Sequence, residues 1–272
     1  MSKGEYIIAS EKLIHTLEQK SYFSAALPAY HRAIAEIREQ LMNGGADMSS
    51  ADTQAEKEVL SHLHDVMREA QPLVENFIAA RVASGVIRSA DQARKSAAGN
   101  IFQQMFAYAI AKNVLNGNIT VPITVTMSVS GIIDKYAAIA VGDDIQKPDS
   151  DVIIYCDENE NSPILNFSCK TSCRERAGQT YKWKLLCDLA TCRCDYREGN
   201  TNCPATKYNL SYAPAREIKM CFVTTDFYNE LNNPQISAMF HFFNHTYVAK
   251  PVSPAANIQI LQDVIADINS CF

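Results

Sequence analysis

Apolar residues recur at helical spacing over residues 5–20 and again over 27–42, where Asn43-Gly44-Gly45 stops the run. Ser49-Ser50-Ala51-Asp52 offers capping side chains for a third helix reaching about residue 83. Over residues 91–115, Ala98, Ile101, Phe102, Met105, Phe106, Ala109 and Ile110 follow i, i+3, i+4, i+7, which predicts a helix with one buried face. The period then changes. Residues 119–130 alternate β-branched and polar side chains and read as a strand, with Pro122 suggesting an edge position. Asp151 opens a short apolar run, Asp157-Glu158-Asn159-Glu160-Asn161 is polar and turn-forming, and Lys170 closes a second apolar run. Two such runs joined by a turn predict a hairpin. A helix over 172–189, strands over 217–223 and 240–248, and an amphipathic helix over 254–270 complete the pattern. In that last helix Ile258, Ile260, Leu261, Val264, Ile265 and Ile268 face inward. Strands with helices on both sides predict an α/β fold, a mixed central β-sheet flanked by helices. Residues 1–88 read as an N-terminal helical region, a candidate for dimer contacts, and 89–272 as the core.

The hairpin carries the candidate chemistry. Alternate side chains of a strand share a face, so Leu165, Phe167 and Cys169 point into a core while Asn166, Ser168 and Lys170 share the other side. The turn can bring Asp151 and Lys170 together at one end of the hairpin. That places an oxygen ligand for a hard cation beside a fixed positive charge, a pair suited to phosphodiester hydrolysis. Asp149 is the rival acid because it follows Pro148; Asp151 is preferred because the apolar strand begins directly after it. The plainer reading of the same residues is an exposed hairpin with a surface ion pair.

Composition narrows the setting. With 272 residues, 47% of them hydrophobic, the chain can build one large domain or a core plus a helical extension. No apolar run approaches the length that spans a bilayer. Met1-Ser2-Lys3-Gly4-Glu5 lacks a secretory pattern, and nine cysteines, an odd number, suggest reduced thiols inside a cell. The net charge of −5 argues against nucleic acid at first sight. Residues 170–198, however, carry seven basic and four acidic side chains. A basic groove on an acidic body can hold DNA while limiting nonspecific adhesion. Cys187, Cys192, Cys194 and Cys203 invite a zinc proposal, but their spacing lacks the paired C-x2-C knuckles of common structural sites. His241 and His245 fit a strand surface better than a metal pair. Trp183 suits either DNA contact or the core.

Ser168-Cys169-Lys170 followed by Arg174-Glu175-Arg176 makes the pattern more specific. Together with Asp151 it resembles the core of the PD-(D/E)xK nucleases. It is similar in particular to the CCGG-recognising group of type II restriction endonucleases, of the BsaWI and AgeI kind. There a catalytic lysine is followed within a few residues by an R-(D/E)-R reading motif. The diagnostic part covers residues 94–176. The resemblance implies a Mg2+-dependent, sequence-specific double-stranded DNA endonuclease of the bacterial cytoplasm, dimeric on a palindrome with a CCGG centre. It would cut before the first C to leave 5′ overhangs. Asp151 and the main-chain carbonyl of Cys169 would hold the metal, and Lys170 would orient or help deprotonate the attacking water. Arg174, Glu175 and Arg176 would read C·G pairs, each good bidentate pair adding about 1–3 kcal/mol of discrimination. Arg88, Arg94 or Lys95 would reach outer bases. Three departures stand out. Gly99-Asn100-Ile101-Phe102-Gln103 resembles the G-x-x-F-E start of the first core helix, but Gln103 replaces the glutamate. Ser168 stands where the second acid usually lies. The helix after the triad has no carboxylate at the expected place, leaving Asp188 as a weak candidate. They favour the alternative, a non-cleaving DNA-binding protein with a degenerate nuclease site.

Overall fold

The computed structural model describes residues 4–127, 130–136, 138–192, 203–212 and 216–272, without the side chains of 174–176 and 211–212. Five helices come first: α1 Glu5–Glu18, α2 Ser21–Asn43, α3 Met48–Glu58, α4 Leu63–Ala83 and α5 Ala90–Leu115. The cap of α3 is Asp47, earlier than expected; its Oδ1 accepts from the Ser50 N–H at 3.0 Å. The helix expected to run unbroken to residue 83 is interrupted by a 3-10 turn, Val59–His62. The break has a reason outside the helix. Ser61 Oγ accepts from the Gln262 N–H at 3.1 Å, and the His64 N–H donates to the Ala249 carbonyl at 2.9 Å. The turn thus satisfies backbone groups of the C-terminal segment.

α5 is the central helix. Near its start one face is buried, but from Met105 to Ala111 every side chain is buried. It lies between the other helices and the sheet, so its second half reads apolar on all sides.

The remaining elements, in order, are β1 Thr124–Thr126, α6 Ser130–Tyr136, β2 Ile139–Val141, β3 Asp144–Gln146, β4 Val152–Tyr155 and β5 Ile164–Lys170. There follow α7 Arg174–Ala190, α8 Pro204–Lys207, β6 Leu210–Tyr212, β7 Ile218–Thr224, α9 Pro234–Met239, β8 His245–Val248, β9 Gln259–Ile260 and α10 Val264–Cys271. Six strands form a mixed sheet in the order β1-β4-β5-β7-β8-β9. The pairs β1–β4 and β4–β5 are antiparallel, and β5, β7, β8 and β9 run parallel. A small antiparallel sheet, β3-β2-β6, stands apart. The fold is therefore the expected mixed α/β sheet flanked by helices.

Tyr6, Phe23, Phe106, Phe167, Val223 and Ile268 belong to one buried cluster that runs from the first helices through one face of the sheet to α10. On the other face Cys173 and Ala177 of the α7 region pack with Met220 and Phe222 of β7. Both faces of β5 are covered, and all seven of its residues are buried.

Several sequence expectations are corrected. β1 takes an edge, but only three residues of 119–130 pair as strand. Of 240–248 only β8 is extended, because Phe240 and Phe243 turn back onto Phe222 with ring centroids 5.4 Å away in each case. Residues 254–270 are not one helix. Gln259 and Ile260 pair with Tyr247 and Val248 as a parallel strand, a 3-10 turn follows, and α10 starts at Val264. β2, β3, β6, α6, α8 and α9 carried no clear period in the sequence. Among the described residues no helix is long and apolar enough to cross a membrane.

Candidate active site

β4 and β5 pair with Val152 opposite Phe167 and Ile154 opposite Leu165. The Asp151 N–H donates to the Phe167 carbonyl at 3.0 Å, which carries the ladder one residue past the strand and fixes Asp151 at the rim. The period-2 reading of β5 holds. Leu165, Phe167 and Cys169 enter the large core, where the Phe106 and Phe167 rings lie 5.0 Å apart. On the opposite face Ser168 Oγ shares a 3.0 Å hydrogen bond with Thr180 Oγ1 of α7.

At the carboxyl end of β5, Lys170 Nζ donates to Asp151 Oδ2 at 2.7 Å and lies 3.4 Å from Asp149 Oδ2. Asp151 Oδ2 also accepts from the Cys169 N–H at 2.8 Å. This is not a surface ion pair. Lys170 is 7% exposed and the Asp151 side chain 11%, while the Asp149 side chain is 42% exposed. Burial pulls the Lys170 ammonium toward a lower pKa, but the charge and hydrogen bond of Asp151, then the Asp149 charge, outweigh it and hold the pKa raised. Burial pushes the neighbouring Cys169 thiol well up, so that thiol stays protonated.

The other sequence candidates separate. Ser168 is buried against Thr180 and supplies no charge. Gln103 is half-buried on α5 and, among the described residues, makes no hydrogen bond to Asp151 or Lys170. Asp188 pairs within its own helix, where Lys184 Nζ holds both its oxygens at 2.5 Å from one turn away. Arg94 pairs with Asp91 at 2.8 Å and lines a groove of about 270 Å³ that also touches Thr171, the residue after Lys170. Lys95 and Arg88 are exposed, and neither lines that groove.

α7 begins at Arg174, with Cys173 as its N-cap. Arg174, Glu175 and Arg176 thus open the helix with only three residues between it and Lys170, while their side chains lie outside the described residues. Asn-free and short, the bridge Thr171-Ser172-Cys173 is pinned from behind by the loop after β7. The Thr225 Oγ1 and the Phe227 N–H both donate to the Thr171 carbonyl, at 3.1 and 3.3 Å. Glu230 Oε2 accepts from the Cys173 N–H at 2.7 Å. Asp226, 3% exposed, accepts from the N–H groups of Glu230 and Leu231 through Oδ1 and from Lys250 Nζ through Oδ2. Sequence reading missed these residues. Their one signal is an acid two positions after a β-rich run; nothing local says that this run lies parallel to β5, with Lys170 opposite Thr224.

His245 opens β8 and lies 3.5 Å from Asp267, whereas His241 falls in the turn before the strand, so the two do not share a strand surface. Cys187 and Cys203 pack with Ile139 and Leu210 in an apolar cluster, and Cys194 lies outside the described residues. Trp183, half-buried, joins the cluster around Phe222.

The rim of β5 suits a hard cation better than zinc. Its donors are carboxylates, and no hydrogen bond among the described residues reaches the second oxygen of Asp151 or of Asp149. Among those residues no group of three or more His, Cys, Asp or Glu side chains gathers into a metal cage. One or two carboxylates, completed by water and substrate phosphate, match the habit of Mg2+.

No curated protein matches the chain. A family model, BsaWI restriction endonuclease type 2, matches residues 129–270, just over half of the 272 residues, and spans the Asp151–Lys170 hairpin, α7 and the parallel strands behind them. That match covers more than half of the sequence: the chain belongs to the BsaWI family of type II restriction endonucleases and is a site-specific deoxyribonuclease.

Proposed function

We propose that the enzyme hydrolyses double-stranded DNA at a palindrome with a CCGG centre, before the first C, leaving four-base 5′ overhangs. The observation that carries this reading is the Lys170–Asp151 contact at the rim, joined by a three-residue bridge to the start of α7. Asp151, the Cys169 carbonyl and the half-exposed Asp149 would hold Mg2+, which when bound supplies charge neutralisation at the phosphate. Lys170, kept cationic by its two carboxylates, orients the attacking water and stabilises charge growing on the phosphate oxygens. Arginines 174 and 176 present guanidinium groups matched to guanine O6 and N7, and Glu175 an acceptor for the cytosine amino group. Two copies related by a two-fold axis would read the two halves of the palindrome, so the DNA-bound enzyme is a homodimer. It would act in the bacterial cytoplasm.

A plasmid rich in CCGG, incubated with the protein and Mg2+ and with an EDTA control, tests the reading. Discrete bands in Mg2+ alone, with ends mapping before CCGG, are expected. Retardation of the DNA without cutting would instead support the non-cleaving binder, and cuts at unrelated sequences would remove the CCGG assignment.

A further inference from the structure

The loop that joins β7 to α9 is an unusual piece of backbone. Asp226 and Asn229, neither of them glycine, both take left-handed conformations, with φ of 49° and 54°. Such residues cost free energy and persist only where their surroundings fix them. The surroundings here are polar and closely connected. Lys250 Nζ donates to the Asp226 carbonyl at 2.9 Å, to Asp226 Oδ2 at 3.2 Å and to Asn229 Oδ1 at 3.0 Å, which uses all three of its N–H groups. Asp226 Oδ1 accepts from the Glu230 N–H at 2.7 Å and fixes where Glu230 starts. The Asp226 N–H donates to Thr224 Oγ1, and Thr224 is the residue opposite Lys170 in the parallel register.

The loop therefore touches both ends of the bridge between chemistry and reading. At the Lys170 end, Thr225 and Phe227 donate to the Thr171 carbonyl. At the helix end, Glu230 accepts from the Cys173 N–H, which precedes Arg174. A carboxylate in that place also favours the positive end of α7. We propose that Glu230, held by Asp226 and Lys250, is a positioning residue for specificity: it sets the start of α7, and so the placement of Arg174-Glu175-Arg176 relative to the scissile phosphate at Lys170. The inference rests on the proposed reading of that triad. Glu230 makes no base contact in this scheme; it acts through the Cys173 backbone.

The test compares kcat/KM on duplexes bearing the cognate site with that on duplexes changed at one base pair of CCGG, for wild type, Glu230→Ala and Glu230→Gln. Loss of a charge-assisted hydrogen bond at the helix start is expected to lower the cognate-to-near-cognate ratio about tenfold in Glu230→Ala. Glu230→Gln keeps an acceptor, and its ratio should fall about threefold, between the other two. A general loss of folding would lower both rates together and leave the ratio unchanged. An unchanged ratio in whichever variant folds overturns the proposal. Wild-type enzyme that cuts DNA but does not discriminate CCGG overturns the reading of the triad, and with it this inference, and is recognised before any variant is made.

Discussion

Lys170→Met keeps the buried stem of the side chain and removes its charge. If the ammonium stabilises the phosphate, single-turnover cleavage should fall by about 10²–10³-fold or more. DNA affinity, followed by gel retardation in EDTA, should stay within a few-fold of wild type. A variant that still cuts would dismiss Lys170 as catalytic. At this scale the Asp151–Lys170 pair was legible in the sequence because strand period and a turn suffice to bring two rim residues together. What was not legible is their burial. An exposed ion pair would contribute little, whereas one this enclosed leaves an uncompensated charge when either partner is lost. Glu230 was illegible for a different reason: its partner, the Cys173 N–H, lies more than fifty positions away and meets it only through the β5–β7 pairing, and Asp226 matters through its hold on the Glu230 N–H.

Helical elements followed their periodicity closely, α5 above all, since a long helix with apolar residues three and four apart leaves little choice. Its packing covers one face of β5. Phe106, fully buried, meets Phe167 there. Phe106→Ala is expected to destabilise the protein by about 3–5 kcal/mol, as large-to-small changes in aromatic cores do. Urea unfolding would show it as a lower midpoint with unchanged slope; a loss below about 1 kcal/mol would mean that the site collapses around the gap. Strand elements were read less well. The β8 region looks extended over nine residues, yet tertiary attraction between Phe240, Phe243 and Phe222 bends its first half away. Gln259 and Ile260 sit in an apolar stretch whose pattern also suits a helix, and only the open edge of β8 decides otherwise.

On the scale of the whole molecule, a polar network fastens the helices together beneath the sheet. Tyr30 of α2 donates to Glu56 Oε2 of α3 at 2.8 Å, and Lys112 of α5 lies 3.7 Å from Glu56 Oε1. Burial raises the pKa of Glu56, against the Tyr30 hydrogen bond and the Lys112 charge that pull it down. A carboxyl whose folded pKa lies above its unfolded value adds stability that is complete below the ordinary 4.5 and is lost as pH rises through the folded value. The stability of wild type relative to Glu56→Gln should therefore decline as pH increases from 4.5. Urea midpoints of both proteins at a series of pH values measure this, and a difference that grows with pH would contradict it. The α/β class could be read from the alternation of periods along the chain; the order of strands, on which the site depends, could not.

The bridge of three residues between Lys170 and Arg174 has an evolutionary corollary. Inserting one residue there would add up to about 3.3–3.6 Å of chain between Lys170 and the start of α7. Homologues that acquire new target preferences should therefore vary on the helix surface and keep the length of this connection, because a change in its length uncouples what is recognised from where the strand is broken.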